Sequence, residues 1–180
     1  MPHLRSLRSG ASLIDVFKAF PAASRPLIEF HEVLLRGPSP FTATERELIA
    51  AYVSGLNGCQ YCYGVHTATA EHLGVKVGLL QRVVPEGELT EVGPKLRPVL
   101  ALARKVTLSP SAVTKADAEA LSAAGWDDLA LYYAVAVTAL FNFMNRLVEG
   151  LGIELEPSYV APASRRLAER GYLPLLEMKS

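Results

Sequence analysis

Cysteine is scarce in this sequence. Only two of its 180 residues are cysteines, Cys59 and Cys62, and they stand three positions apart. So short a spacing cannot tie distant parts of a chain together, which argues against a disulfide-stapled secreted scaffold. The first residues also lack an apolar stretch of signal-peptide length before Asp15. We therefore expect a protein of a reducing, cytoplasmic setting.

An excess of charge of either sign is also missing. Lys and Arg number 18, Asp and Glu also number 18, and the formal net charge is zero. Because the basic residues form no patch, charge gives no reason to expect nucleic acid or an anionic membrane as a partner. Residues 48–70 lack Asp, Glu, Lys and Arg but are too polar to cross a bilayer, and the more apolar stretch 129–143 is too short. Both stretches are expected to be buried helices.

The third absence is the alternating apolar and polar pattern of a β-strand. We therefore predict an all-α helical bundle that forms a single domain over residues 1–180. Apolar spacing and helix-boundary residues predict helices at 11–17, 26–36, 42–56, 59–72, 76–83, 95–106, 116–124, 129–149 and 164–169, with a loop at 85–88.

One helix start matches a capping signal twice. Thr42 with Glu45 and Thr44 with Glu47 both have the spacing of a capping box, and Pro40 favours Thr42 as the cap. If Thr42 is the cap, Glu47 lies one turn inside an apolar helix. A partly buried carboxylate at that position needs a partner, so Glu47 is open to two interpretations, as a cap or as a catalytic group.

A weak internal similarity links two segments. Residues 47–74 and 128–152 each begin with an acidic residue, continue through a long apolar helix and end in Leu-Gly. Such a pattern is consistent with duplicated two-helix units. Only the first segment contains cysteines.

The segment 58–66 holds both cysteines and a histidine four residues after the second. At about 100° per residue, Cys59, Cys62 and His66 share one helix face within roughly 60°. Asn57-Gly58 interrupts the preceding helix, so Cys59 is expected to begin a new one, where free N–H groups and the helix dipole favour a thiolate. The segment therefore predicts an activated dithiol.

Redox chemistry explains this choice of residues. His66 can take the proton of Cys62 or stabilise its anion, and Glu47 can in turn hold or reprotonate His66. Once a peroxide oxidises one sulfur to a sulfenic acid, the neighbouring thiol can condense with it to a disulfide. Tyr61 and Tyr63 are packing residues or form the rim of the site.

Two alternatives to redox chemistry stay open for the cysteines. Free cysteines are often simply small buried residues. The spacing C-x2-C-x3-H also invites zinc, but His72 lies about 140° away around the same helix and cannot complete a tetrahedral site there. His3, His31 and His72 belong to no recognisable constellation and are expected to be structural or surface residues.

Taken together, the motif resembles one known family. Glu47, then Cys59-Gln60-Tyr61-Cys62 twelve residues later, and then His66 resemble the alkylhydroperoxidase D-like group of the carboxymuconolactone decarboxylase superfamily. The flanking segments 44–50, 53–59 and 145–152 are similar to those of its peroxidase-related enzymes. The core of the motif covers residues 42–74, and the helical pattern covers most of the chain.

The resemblance implies an all-α fold, assembly as trimers or hexamers, and thiol-dependent reduction of hydroperoxides without a cofactor. By position, Cys62 matches the attacking cysteine, Cys59 its disulfide partner, and Glu47 and His66 the proton relay. Tyr61 stands where the family pattern has a histidine, which implies a relay that is shorter, slower or tuned to another substrate. The disulfide would be reduced by a dithiol or lipoylated protein partner.

The sequence thus predicts a thiol-dependent peroxidase. A non-enzymatic redox sensor, or an oligomer controlled by the same disulfide, is the competing hypothesis. Metal binding and lactone decarboxylation are the lesser alternatives, and the decarboxylase branch typically lacks the cysteine pair.

Overall fold

The computed structural model describes residues 2–87 and 89–177, without the side chain of residue 86. Within them the chain forms helices and no strand, which confirms the predicted all-α class. The helices are α1 (Leu13–Ala19), α2 (Pro21–Arg36), α3 (Ala43–Leu56), α4 (Gln60–His72), α5 (Leu79–Glu86), α6 (Arg97–Leu108), α7 (Lys115–Ala123), α8 (Asp128–Gly150) and α9 (Pro157–Arg170), with 3-10 turns at Pro110–Ala112 and Leu173–Leu176.

Thr42 is the residue that begins α3. Its side chain accepts a hydrogen bond from the backbone N–H of Glu45, and the Glu45 carboxylate accepts one from the backbone N–H of Thr42 in return. Thr44 instead donates its hydroxyl to the Leu73 carbonyl at 2.8 Å, which ties the start of α3 to the end of α4. Glu47 therefore takes no part in capping the helix.

A tight turn between α3 and α4 sets the position of the cysteines. Gly58 has a φ of +70°, a left-handed conformation that glycine adopts without steric cost. The next residue, Cys59, donates its backbone N–H to the Ser54 carbonyl at 3.0 Å and is the N-cap of α4. The predicted helix start at Cys59 is therefore confirmed, and Cys62 lies in the first turn of α4.

Helix α3 is the centre of the molecule. Its residues 46–54 are all buried, and the helix packs against α4, α8, α6, α5 and α2. Helix α4 packs on α3 on one side and on α9 on the other. The chain after α9 returns to α2 through the final 3-10 turn. This arrangement brings α2, α3, α4 and α8 together around one end of the core. The C-terminal segment, residues 171–177, lies at the same end.

Three predicted helix boundaries were wrong, and each of the helices concerned contains a proline within it. Helix α2 begins at Pro21 and contains Pro26, and α5 runs through Pro85 into the predicted loop. Helix α9 begins at Pro157, where a proline suits the first helical position, and it continues past Pro162. Local propensity placed the boundaries at prolines, but burial of α2 and α9 side chains against the core favours longer helices.

The two similar sequence segments do not fold alike. Residues 47–74 form parts of two helices separated by the turn at 57–59, whereas Asp128–Gly150 is one continuous helix. The similarity of the two segments in sequence therefore does not extend to their helix boundaries. The shared pattern reflects only that both segments supply apolar faces to the same core.

Helix α8 is the one helix among the described residues with the length and composition of a membrane span. It has 23 residues, its most apolar window has a mean hydropathy of 1.2, and 44% of that window is buried inside the protein. Its buried side chains pack against α3 and α6 in the core. A central helix of a folded core has the same composition, so this pattern does not require a membrane.

Thr42→Ala tests the capping box at the start of α3. Loss of the side-chain acceptor leaves a helix N–H group without its partner, so the free energy of unfolding should fall by about 1 kcal/mol in urea denaturation. Thr42→Ser keeps the acceptor and should stay near the wild-type value. Equal stability of Thr42→Ala and the wild type would contradict the assigned cap.

Candidate functional site

Glu47 lies at the centre of a buried ionic cluster. Its carboxylate is fully buried, and three side chains from three other segments donate to it. His66 Nδ1 lies 2.7 Å from Oε2, while Arg36 Nη2 and the Tyr172 hydroxyl lie 2.6 Å and 2.8 Å from Oε1. Arg36 also donates to the Leu167 carbonyl at 2.9 Å, which fixes the guanidinium between α3 and α9. Both oxygens of the carboxylate therefore accept hydrogen bonds from these side chains.

The side chains that surround Glu47 keep its carboxylate ionised. Burial by itself would raise the pKa of Glu47, but the charges and hydrogen bonds of His66 and Arg36 outweigh it and hold that pKa at about 2. Burial, together with the neighbouring Glu47, raises the pKa of Tyr172 well above its ordinary value, so Tyr172 stays a neutral donor. At neutral pH, Glu47 acts as a fixed anion.

His66 is oriented by this anion. Because a carboxylate only accepts, Nδ1 carries the proton of that hydrogen bond. Among the described residues, no hydrogen bond of His66 engages Nε2. The ring packs edge-on against Phe141 with centroids 4.6 Å apart and stacks on Tyr172 at 6.4 Å. Nε2 is therefore the nitrogen left for chemistry, as an acceptor in the neutral ring and a donor in the imidazolium.

The two cysteines are buried and both are free thiols. Cys62 lines a cavity that His66 also lines, whereas Cys59 does not reach it. The hydrogen bond with Cys59, and then burial, raise the pKa of the Cys62 thiol well above its ordinary value. The helix start therefore does not produce the thiolate that the sequence predicts for Cys62, and a base has to remove its proton.

A hydrogen-bond network of side chains lies next to Cys62. Asn145 donates to the Ser54 hydroxyl at 3.0 Å and accepts from Asn57 Nδ2 at 2.9 Å. The Asn145 side chain is also the group that lowers the pKa of Cys62 against the larger effects of Cys59 and burial. The network therefore ties the turn before Cys59 to α8 and gives Cys62 a polar neighbour.

The cavity beside Cys62 is small and mostly apolar. Its volume is about 60 Å³, which is room for a few water-sized molecules. Helices α1, α2, α4, α8 and α9 and the C-terminal segment contribute to its walls. The lining residues are Leu13, Ile14, Phe17, Ile28, His31, Tyr61, Cys62, Val65, His66, Phe141, Met144, Tyr159, Ala163, Arg166, Leu167, Tyr172 and Leu175.

The two tyrosines predicted at the rim have different positions. Tyr61 is buried, lines the cavity and stacks on Tyr159 with ring centroids 5.9 Å apart. Burial and the neighbouring Tyr159 raise the pKa of Tyr61, so it stays protonated. Tyr63 points elsewhere, towards Gly55 and Thr67, and does not line this cavity. Of the two expectations for these tyrosines, packing or the rim of the site, the position of Tyr63 corresponds to packing.

Three residues of the site were not predicted from the sequence. Arg36 was interpreted only as the end of a helix, and Tyr172 lies in a tail without a recognisable motif. His31, which was expected to be structural, lines the cavity. A buried carboxylate at Glu47 signals that cationic and hydroxyl partners are needed, but no spacing in the sequence identifies them, because they are distant along the chain.

The metal alternative finds no support among the residues that the structure describes. Within that part of the chain, no group of three or more His, Cys, Asp or Glu side chains is placed to hold a metal ion. His72 is exposed, and its Nδ1 bonds to the Ala68 carbonyl of its own helix at 2.8 Å.

Comparisons with known proteins find one matching family and several similar solved structures. The carboxymuconolactone decarboxylase family model matches residues 21–105. Two solved structures resemble the fold: a peroxidase-related protein from Silicibacter sp. TM1040 and an alkylhydroperoxidase AhpD core, also described as a peroxidase-related protein, from Ralstonia eutropha JMP134. The Silicibacter protein has a TM-score of 0.77 and 25% sequence identity, and the match covers 83% of this chain and 78% of that protein's chain. The Ralstonia protein has a TM-score of 0.75 and 27% sequence identity, and the match covers 81% of this chain and 76% of that protein's chain.

A curated relative matches a shorter stretch. The protein YdfG of Bacillus subtilis (strain 168) is 33% identical over 73 residues, which are 41% of this chain and 50% of that protein. Together with the fold, these similarities support the alkylhydroperoxidase D-like and carboxymuconolactone decarboxylase superfamily for this chain. Both similar structures are described as peroxidase-related proteins.

The buried ionisable groups predict acid sensitivity in two pH ranges. Burial lowers the pKa of His31 to about 4 from an ordinary 6.5, so the unfolded state binds more protons and stability should fall as the pH drops through that interval. The lowered pKa of Glu47 adds a second loss of stability between about 4.5 and 2. Between pH 6.5 and pH 4, the free energy of unfolding should fall by at most about 1.4 kcal/mol per pH unit.

Urea denaturation at several pH values measures both losses. His31→Phe should flatten the dependence between pH 6.5 and 4 and leave the lower range intact. His72→Phe, which replaces an exposed histidine with the same type of backbone hydrogen bond, should keep the wild-type slope. An unchanged upper slope in His31→Phe would contradict the assignment.

Proposed function

We propose that this protein is a thiol-dependent peroxidase that reduces hydroperoxides through Cys62 and Cys59. The observation that carries the proposal is the shared cavity: Cys62 and His66 both line it, while Cys59 is fully buried and does not line it. This arrangement distinguishes an attacking sulfur from a resolving one. Membership of a peroxidase-related family supports the same conclusion.

The first step is attack by Cys62. Because the pKa of its thiol is raised, His66 Nε2 takes the thiol proton as the sulfur approaches the peroxide. The sulfur electron pair forms an S–O bond with the distal oxygen of the hydroperoxide, and the O–O bond breaks. The leaving alkoxide takes the proton from His66 and departs as an alcohol. Cys62 is left as a sulfenic acid.

Cys59 completes the oxidative half of the cycle. Its thiol displaces the hydroxyl group of the Cys62 sulfenic acid, which leaves as water, and a Cys59–Cys62 disulfide forms. The two thiols are neighbours on the first turn of α4 and already interact. A dithiol or lipoylated protein then returns two electrons by thiol–disulfide exchange.

Glu47 supports His66 in this cycle. As a fixed anion it stabilises the imidazolium that exists between proton uptake and proton release, and it holds Nδ1 so that Nε2 does the transfer. Arg36 and Tyr172 keep the carboxylate in place from the opposite oxygen. The relay is therefore a histidine that moves protons and a carboxylate that stays charged.

A peroxide titration tests the proposal. One equivalent of tert-butyl hydroperoxide should remove two free thiols from the wild type, and turnover should be sustained with dihydrolipoamide. Cys62→Ser should lose turnover by at least roughly a thousandfold, because the nucleophile is gone. Cys59→Ser should still consume one equivalent at Cys62 but should not cycle.

Two outcomes would count against this function. Consumption of peroxide by Cys62→Ser at the wild-type rate would remove Cys62 from the mechanism. Oxidation of the wild type to the disulfide without turnover in the presence of dihydrolipoamide would favour a redox sensor over an enzyme.

We further propose that the protein forms a homo-oligomer through α8. Leu129, Tyr132, Val135 and Phe143 are exposed on this helix, and Leu129, Tyr132 and Phe143 follow a helical spacing that places them on one stripe. An exposed apolar stripe of this kind is typical of a protein interface.

Light scattering with Tyr132→Glu tests this interface. A charge in the middle of the stripe should shift the wild-type oligomer to a smaller species. Lys115→Glu, a charge change on the exposed α7, should leave the mass unchanged. A monomeric wild type, or a Tyr132→Glu variant of wild-type mass, would contradict the proposal.

A further inference from the structure

The cavity contains a second imidazole that the proposed cycle does not use. His31 lies on α2 and is 5% exposed, yet it lines the same cavity as Cys62 and His66. Its ring centroid is 5.4 Å from that of Tyr172 and 6.1 Å from that of Phe141. The His66 ring packs on the same two aromatic rings. The two imidazoles are therefore neighbours on one wall of the cavity.

The tautomer of His31 follows from its one hydrogen bond. Nδ1 lies 2.7 Å from the Leu27 carbonyl, one turn earlier on α2. A carbonyl oxygen only accepts, so Nδ1 carries the proton. In the neutral ring this leaves Nε2 as a bare acceptor, and burial keeps the ring neutral by lowering its pKa to about 4.

Nε2 of His31 has no hydrogen-bond partner in the part of the chain that the structure describes. The cavity that His31 lines has mostly apolar walls, to which Leu13, Phe17 and Ile28 contribute. A ligand with a donor group that enters this cavity could pair with the acceptor. The charged or titratable groups that act on His31 are His66 and Glu47, and both are already engaged with each other.

We propose that His31 Nε2 binds the O–H group of the substrate, so that the site selects a hydroperoxide with a small apolar body. This proposal rests on the proposed peroxidase function. The distal oxygen carries the O–H hydrogen, and His31 holds this hydrogen while Cys62 Sγ attacks the same oxygen. That hydrogen stays on the oxygen in the sulfenic acid, so His31 gains and loses no proton in the step. The thiol proton travels through His66 to the leaving alkoxide.

This role also explains why His66 and His31 have different surroundings. His66 faces a carboxylate and can become an imidazolium, which suits proton transfer. His31 faces a backbone carbonyl instead of a carboxylate, and its burial disfavours a positive charge, which suits hydrogen-bond acceptance. The second imidazole of this cavity therefore comes from α2, outside the segment that holds the cysteines.

Stopped-flow kinetics of Cys62 oxidation in His31→Phe tests the kinetic part of the inference. The rate with tert-butyl hydroperoxide should fall at least roughly tenfold, the value of one lost hydrogen bond of about 1.4 kcal/mol. The rate of modification by methyl methanethiosulfonate, which has no O–H or N–H donor, should change less than about twofold. A merely structural role for His31 would slow both reactions alike.

The control variant is His72→Phe, which replaces an exposed histidine whose Nδ1 makes the same type of bond to a carbonyl four residues earlier. It should leave both rates at the wild-type values. Equal loss of both rates in His31→Phe, or no loss with the hydroperoxide, would overturn the inference.

A binding measurement separates this inference from the peroxidase function. In protein labelled with ¹⁵N-histidine, tert-butanol should shift the Nε2 resonance of His31, and tert-butyl methyl ether, which lacks the donor, should not. If the wild type fails to react with hydroperoxides but shows this selective shift, the peroxidase function fails and the donor-binding role of His31 stands. If both compounds or neither shift Nε2, the role of His31 is wrong.

Discussion

The buried carboxylate of Glu47 is the constraint on which the site depends. A charge that is fully removed from water is stable only when it is paired and hydrogen-bonded, and the structure supplies His66, Arg36 and Tyr172 for this purpose. These partners come from α4, α2 and the C-terminal segment. The same contacts that satisfy one anion therefore hold three parts of the chain around the cavity and fix the orientation of the histidine next to Cys62.

The pKa of the Cys62 thiol is set by its surroundings more than by its place at a helix start. Cys62 is buried beside a second thiol, so its pKa is raised and its proton has to be removed when a substrate is present. Under the proposed function, this arrangement would confine reaction to ligands that enter the cavity. The two histidines that line the cavity differ in what each Nδ1 faces: a carboxylate for His66 and a backbone carbonyl for His31.

The sequence predicted those parts of the site that lie close together along the chain. The capping box at Thr42, the helix start at Cys59 and the cluster of Cys59, Cys62 and His66 follow from local spacing, and the all-α class follows from the absence of strand patterns. Arg36 and Tyr172 could not be predicted in this way, since they reach Glu47 from 11 and 125 residues away. Proline-based boundaries were wrong where tertiary packing extended α2, α5 and α9 beyond local propensity.

The central claim is that ionised Glu47 fixes the His66 ring with Nδ1 protonated and Nε2 free for the thiol proton. The ¹⁵N resonances of His66 measure this directly in the reduced protein at a pH where the ring is neutral. The account predicts a protonated Nδ1 and a bare Nε2, and it predicts that Glu47→Gln mixes the two tautomers. A bare Nδ1 with a protonated Nε2 in the wild type would contradict it.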